Sequence, residues 1–215
     1  MLLLCQVTRK IQTSHLKNKG GEIKMQEKYV ELENVCSSII RGYTYVRQEV
    51  ETNDIRNGHP VEVISFGDID DNGTFETGEN TEKYTLKNKN AFYKCRAEEY
   101  DVLLPSTAKV MAKVKLLRNN EGDPSRIQIY KSNIILIKVE QDKYSPEALQ
   151  IILNSKEMQK RLIDEVYSDG RVKSLSLDKL RHFKVPICTE EVRQKMEKYR
   201  EYKNKIQEIE KYILS

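Results

Sequence analysis

Six side chains on three short segments of the sequence could bind a polyanion. Each segment combines basic or tyrosine side chains with a glycine or with hydroxyl groups, as loops between regular elements often do. Lysines, hydroxyl groups and backbone N–H groups bind phosphates, whereas arginine and tyrosine side chains on loops can also reach the edges of bases. Each segment alone fits an ordinary solvated loop, but three in one chain favour a binding role. The candidate side chains are Arg41, Tyr43, Lys109, Lys113, Arg171 and Lys173.

The sequence contains no arrangement of residues that is typical of an enzyme active site. A glycine-rich dinucleotide motif, a Gly-x-x-x-x-Gly-Lys-Ser/Thr phosphate loop and a His-Glu-x-x-His zinc motif are all absent. The histidines His15, His59 and His182 are far apart, and none stands in the pattern of a catalytic triad. We therefore predict a protein without catalytic activity and without a cofactor.

Two other patterns bear on metal binding and on the redox compartment. The Asp-x-Asp spacing at Asp68 and Asp70 suggests a calcium loop, but we predict a surface turn there and no metal site. The four cysteines lie 31, 59 and 93 residues apart, which is neither a zinc spacing nor a dense disulfide framework. This cysteine usage predicts a protein of the reducing cytoplasm.

Charge is unevenly distributed along the chain. The 215 residues carry a net charge of +4, but residues 27–80 have a balance of −8 and residues 81–188 a balance of +7. Such asymmetry is compatible with a nucleic-acid-binding face on the later segment, and ordinary solvated lysines explain it about equally well. No apolar run approaches the roughly 20 residues that a membrane-spanning helix needs, so we predict no membrane association.

The elements that must position the candidate side chains indicate an α+β domain with a mixed sheet. Residues 134–139 are apolar except for Lys138 and largely β-branched, which predicts a central strand. Ser145 and Pro146 suit the N-cap and first position of a helix whose apolar pattern continues to about residue 166. Shorter elements are predicted as strands at 37–43, 61–66 and 101–106, a short helix at 176–180 and an extended stretch at 183–187.

The last part of the chain has a different pattern from the rest. From Thr189 onward the sequence lacks glycine and proline, and seven apolar side chains recur at intervals of three or four residues. This spacing predicts one apolar stripe on a helix of about 26 residues, or ~39 Å. Such a stripe favours a coiled-coil arm over a helix that folds back on its own domain. The stripe consists of Val192, Met196, Tyr199, Tyr202, Ile206, Ile209 and Ile213.

These patterns divide the chain into three regions. Residues 1–26 are basic, glycine-broken and without clear periodicity, which predicts a loose leader. Residues 27–188 form the predicted folded domain. Residues 189–215 form the predicted coiled-coil helix, which would serve dimerisation and spacing.

Several short segments of the sequence follow one another in a recognisable order. They are LENV at 32–35, VISFGDI at 63–69, YDVLLPS at 100–106, SPEAL at 145–149, KSLSLDKL at 173–180, VPI at 185–187 and EEVRQ at 190–194. This order resembles one half of a type I restriction–modification specificity subunit, namely one target-recognition domain and the helix after it. The resemblance covers about residues 28–214 and departs from the family at Cys188-Thr189, where further prolines are usual.

The resemblance implies binding of double-stranded DNA on behalf of partner DNA methyltransferase (M) subunits and, in some systems, a restriction (R) subunit. The six candidate side chains then become DNA contacts, and Arg41 and Arg171 are the most suited to reach bases. Family members usually carry two recognition domains, so a chain with one implies a homodimer or a piece of a longer protein. A homodimer would read a two-part site with matching halves, and the C-terminal helix would set their spacing. The family is cytoplasmic and prokaryotic.

Two other functions remain open at this point. The chain could be the carboxy-terminal recognition domain of a single-chain adenine methyltransferase, which an upstream methyltransferase motif in the same reading frame would reveal. It could also be a coiled-coil adaptor that never contacts DNA, which the acidic segment at 27–80 keeps possible. Salt-dependent binding of duplex DNA distinguishes a DNA-binding protein from such an adaptor.

Overall fold

The computed structural model describes residues 29–44, 58–86 and 93–214. The predicted leader at 1–26 lies outside these residues. Over the described residues the fold is α+β with mixed sheets, as the sequence predicted. The strands are β1 (Tyr29–Glu31), β2 (Cys36–Arg41), β3 (His59–Ile64), β4 (Thr74–Glu76), β5 (Glu82–Leu86), β6 (Val102–Pro105), β7 (Thr107–Ala108), β8 (Lys115–Leu116), β9 (Asn119–Glu121), β10 (Ile127–Tyr130), β11 (Ile134–Val139), β12 (Lys173–Ser174) and β13 (Lys184–Pro186).

Strand β11 lies inside an antiparallel sheet of four strands in the order β2–β11–β6–β8. This position confirms the prediction that the apolar run at 134–139 forms a central strand. Successive side chains of a strand point to opposite faces. Ile135 and Ile137 therefore pack in one apolar cluster with the helices, whereas Ile134 and Leu136 pack in a second cluster. Residues 134–137 are all apolar because both faces of this part of β11 are covered.

A second sheet has three strands in the order β10–β3–β5, and it explains why the fold is mixed. Strands β10 and β3 are parallel, whereas β3 and β5 are antiparallel. Val61 and Val63 of β3 and Ile129 of β10 are buried in a third apolar cluster. The strand predicted at 61–66 is thus present, but it begins earlier, at His59. The short turn between β10 and β11 joins the two main sheets.

Four α-helices follow β11 in the described chain: α1 (Pro146–Leu153), α2 (Lys156–Arg161), α3 (Leu177–Arg181) and α4 (Glu190–Leu214). The hydroxyl group of Ser145 accepts a hydrogen bond from the backbone N–H of Ala148 at 3.2 Å, so the predicted N-cap of α1 is confirmed. A π-helical turn, Leu162–Val166, extends α2. The single predicted helix up to residue 166 is therefore broken at Asn154, where Ser155 caps α2.

Strands β1 and β13 pair antiparallel, with Val30 opposite Val185. Helix α4 begins soon after this pair and spans 25 residues. Val192 and Met196 near its start pack against the core of the domain, and Met196 is 8% exposed. The later stripe positions Tyr202, Ile206, Ile209 and Ile213 are exposed, at 64%, 54%, 58% and 72%. The side chain of Tyr199 lies outside the described part of the structure.

No helix within the described residues is both long and apolar enough to cross a membrane.

Candidate nucleic-acid interface

Two of the three predicted segments are held side by side by the short strands β7 and β12. Lys173 of β12 pairs with Ala108 of β7 in antiparallel register. Lys109 directly follows β7, and Arg171 shortly precedes β12. The loops that carry these two side chains therefore leave the ladder next to each other, although more than sixty residues separate them in the sequence.

The third predicted segment reaches the same end of the four-stranded sheet. Arg41 is the last residue of β2 and pairs with Ile135, close to the start of β11. Strand β6 also ends at this edge, where Pro105 pairs with Ile134 before the chain continues into β7. The guanidinium group of Arg41 donates a hydrogen bond to the carbonyl oxygen of Ser132 at 3.3 Å. The structure thus brings all three segments to one end of one sheet.

The corner after Arg41 is packed closely against the turn between β10 and β11. A Cβ atom at Gly42 would lie 2.2 Å from the carbonyl oxygen of Lys131, so only glycine fits there. Tyr43 forms an isolated bridge with Lys131 and is 8% exposed, packed in the cluster that contains Val61. Tyr43 therefore supports this corner from inside the domain, whereas the sequence had predicted that its side chain would contact DNA.

Two side-chain amides hold the backbone that follows Lys109. The buried amide of Gln159 accepts a hydrogen bond from the N–H of Ala112 at 2.9 Å and donates to the carbonyl oxygen of Ala112 at 2.8 Å. The amide of Asn154 binds the N–H and the carbonyl oxygen of Val114 in the same way, at 2.9 and 2.7 Å. The segment 112–114 pairs with no strand of the described part of the chain, and these four bonds satisfy its backbone groups instead. Nothing in the sequence pattern indicated this role for either amide.

The charge of Lys113 is partly balanced within the protein. Its ammonium group forms an ion pair with Asp71 in the turn that precedes β4, and this hydrogen bond lowers the pKa of the Asp71 carboxyl group. The neighbouring Lys115 donates to the carbonyl oxygens of Phe66 and Ile69 in the same turn. Lys113 is therefore less available to a polyanion than Lys109 and Arg171, which are exposed, or Lys173, which is half-buried.

The acidic turn that contains Asp71 matches more of the calcium-loop pattern than its Asp-x-Asp pair alone. Asp68, Asp70, Asn72, Gly73 and Glu79 stand at the positions that a twelve-residue calcium loop requires. In the structure, however, the carboxylate of Asp68 accepts the N–H of Ser65 at 2.7 Å, and that of Asp70 accepts the N–H of Thr74 at 2.7 Å. These carboxylates stabilise the turn, in agreement with its prediction as a surface turn.

A different group of titratable side chains was not anticipated from the sequence. Ligand atoms of Glu31, Glu33 and His182 lie within 4.8 Å of one another, at the side of the domain where β1 pairs with β13. A hydrogen bond from the imidazole to Glu31 and the charge of Glu33 raise the pKa of His182. All three side chains are partly or fully exposed, and the arrangement acts as a pH-dependent ion pair on the surface.

The sequence matches no protein-family model and no curated protein. Solved structures do match. One is a chain from a structural study of complex assembly and conformational transition in the type I R-M system. It is 14% identical to this chain, with a TM-score of 0.55. The match covers 98% of this chain and 46% of that one. Another is the HsdS subunit of Thermoanaerobacter tengcongensis, with 14% identity, a TM-score of 0.52, and coverage of 86% and 44%.

The chain spans about half the length of the solved structures that it matches. At this low identity the comparison concerns the fold. The resemblance that the sequence predicted is confirmed at that level, because the chain has the fold of about half an HsdS specificity subunit.

Proposed function

We propose that this chain is a half-size, sequence-specific DNA-binding specificity subunit of a type I restriction–modification system, without catalytic activity of its own. The observation that carries the proposal is the meeting of three separate basic segments at one end of the four-stranded sheet. A rigid sheet that presents loops at one edge is a common way to build a recognition surface. The shared fold with an HsdS subunit supports the same function.

In this proposal the basic side chains have different tasks. Arg41 and Arg171 contact base edges, since an arginine fork can bind a guanine with two hydrogen bonds. Lys109 and Lys173 contact phosphates, and Lys113 does so at the expense of its ion pair with Asp71. Tyr43 contributes indirectly, because its ring supports the corner that holds Arg41. The methyltransferase subunits, and a restriction subunit where one exists, supply the chemistry.

The exposed part of the stripe on α4 is proposed to pair with the same helix of a second copy. Isoleucine and tyrosine side chains that remain more than half exposed along three turns are typical of a helix that needs a partner. Because Val192 and Met196 already pack on their own domain, the pairing segment begins beyond them. Two domains joined in this way would read the matching halves of a two-part DNA site.

The proposal is tested by expressing the chain together with the products of the neighbouring genes and mapping methylated adenines in the host DNA. We expect methylation at a two-part site whose halves match, and loss of that methylation when the gene for this chain is deleted. The purified complex should bind duplex DNA carrying the site, with an affinity that falls steeply as salt rises because phosphate contacts release counterions. Unchanged methylation after deletion, together with salt-independent or absent DNA binding, would contradict the proposal and favour an adaptor.

A further inference from the structure

The loop between β7 and β8 has an apolar tip. Val110 is 80% exposed and Met111 is 64% exposed, although they lie between the buried residues Ala108 and Ala112. Val172, on the adjacent loop before β12, is 55% exposed. The pairing of β7 with β12 places these two loops side by side, so three exposed apolar side chains lie on adjacent loops. Large apolar side chains that cluster in solvent are unusual and commonly mark a binding surface.

The tip projects from a rigid base. On one side the chain is held by the β7–β12 ladder, which ends at Ala108. On the other side the amide of Gln159 binds the N–H and the carbonyl oxygen of Ala112. The same amide also donates to the carbonyl oxygen of Leu153 at 2.8 Å. Only the stretch from Lys109 to Met111 lies between these two attachments. The apolar side chains are therefore displayed on a short loop that is anchored at both ends, which lowers the entropy that binding would lose.

The surroundings of the tip are predominantly positive. Beside it lies an open cleft of about 430 Å³ between the loop and helix α2 with its π-helical extension, and Ile163, Lys156 and Lys160 are among the residues that line it. Lys109 at the start of the loop and Arg171 on the neighbouring loop add two more exposed cations. Asp164, which also lines the cleft, and Asp169 are acidic groups in this region. An apolar tip flanked mainly by cations is complementary to a surface that is anionic overall but carries local apolar groups.

We propose that Val110 and Met111 contact the C5-methyl groups of thymine in the major groove of the DNA site, and so help to determine its sequence. This inference rests on the proposed function. The thymine methyl group is the apolar feature that the major groove presents among its hydrogen-bonding edges, and apolar side chains recognise it. Lys109 and Arg171, which flank the tip, then bind the phosphates and bases beside it. The occupant is thus duplex DNA that contains an A·T pair opposite the tip.

The test uses the complex with its methyltransferase partner and the DNA site found by methylation mapping. Each thymine of the site is replaced in turn by deoxyuridine, which removes one methyl group and leaves base pairing unchanged. We expect one or two replacements to weaken binding by wild type roughly fourfold, the factor for burial of one methyl group. The double variant Val110→Thr, Met111→Gln should bind the thymine and uracil sites equally. Lys109→Gln, the matched control, should weaken binding to both sites and keep their ratio.

The outcomes separate the two proposals. Replacements that never change affinity, or the same fourfold loss in the double variant, would overturn this inference while DNA recognition stands. A double variant that binds the site as wild type does but no longer assembles with the methyltransferase subunits would also overturn it, because the tip would then contact protein. Absence of specific DNA binding by the wild-type complex would instead reject the proposed function itself.

Discussion

At the scale of single residues, arginines at the proposed interface can be distinguished from arginines elsewhere by substitution. Arg171→Ala removes an exposed guanidinium on the loop before β12 and leaves the ladder intact, since β12 begins later at Lys173. Loss of a two-bond contact to a base should lower affinity for the specific site roughly 5- to 150-fold and relax specificity at one base pair. Competition binding with single-base variants of the site measures both effects.

Arg126→Ala provides the matched control for this prediction. Arg126 precedes β10 at the end opposite its connection to β11, and it pairs with Asp123 at 3.4 Å. The substitution of Arg126 by alanine should leave DNA binding unchanged. Equal effects of the two substitutions would show that the loop before β12 has no special role in recognition.

A second property of a single residue concerns pH. Asp101 is 3% exposed. Its carboxyl group accepts hydrogen bonds from the hydroxyl group of Tyr130 at 3.1 Å and the N–H of Glu98 at 2.8 Å, and it lies 3.4 Å from the ammonium group of Lys138. Burial outweighs these interactions and raises the pKa of Asp101 from 3.8 to about 6. The native protein therefore binds this proton more tightly than the unfolded chain does.

This raised pKa predicts how stability depends on pH. Between pH 4 and 6 the native state holds a proton on Asp101 that the unfolded state has released, so this group makes the free energy of unfolding fall as pH rises, by up to about 3 kcal/mol. Asp101→Asn removes the titration. The free energy of unfolding of the variant minus that of wild type should therefore rise by about 3 kcal/mol from below pH 4 to above pH 6. Urea unfolding of both proteins measures this difference. Parallel pH profiles of the two proteins would contradict the raised pKa.

At the scale of elements, the junction between α1 and α2 determines the position of a loop in another part of the fold. The helix pattern breaks at Asn154, and the break allows Asn154 and Gln159 to face the same extended backbone. Gln159→Leu keeps most of the side-chain volume but leaves the N–H and the carbonyl oxygen of Ala112 without their partner. We expect a loss of stability on the order of 3 kcal/mol, because buried backbone groups would remain unsatisfied.

The same substitution should release the loop before it unfolds the domain. Under native conditions, trypsin should cleave after Lys109 and Lys113 faster in Gln159→Leu than in wild type, and mass spectrometry identifies those sites. Gln141→Leu, in the exposed turn after β11, is the matched control and should leave the cleavage pattern unchanged. A Gln159→Leu protein as stable and as resistant as wild type would show that the amide does not hold the loop.

At the scale of the whole molecule, the proposed dimer depends on helix α4. Ile206→Lys places a charge in the exposed part of the stripe, where the side chain is 54% exposed in the single chain. If the stripe pairs with a second copy, this charge would be buried without a partner, and we expect dimers to dissociate into monomers. Light scattering coupled to gel filtration measures the change in mass.

Asn204→Lys adds the same charge on the opposite side of α4, at another exposed position, and should leave the dimer intact. A wild-type chain that is monomeric at all concentrations in the presence of its partner subunits would contradict pairing through this helix.

The fold was more predictable than the site. The central strand β11 and the cap at Ser145 follow from local apolar patterns and from capping chemistry, which adjacent residues express directly. By contrast, the ladder between β7 and β12 consists of two-residue strands, too short to leave a periodic signal. The burial of Tyr43 depends on packing against β3 and β10, which are distant in sequence. The sequence pattern therefore indicated candidate segments but not which side chains each segment would expose.

The hydrogen bonds that hold the loop between β7 and β8 involve main-chain atoms of the loop and side chains of a distant helix junction. Exchange of the residues at 109–111 would therefore leave those bonds unchanged. Evolution could vary the tip freely, and with it the preferred target, without renewed selection for folding. An engineer could randomise these three positions in a library and expect most members to remain folded.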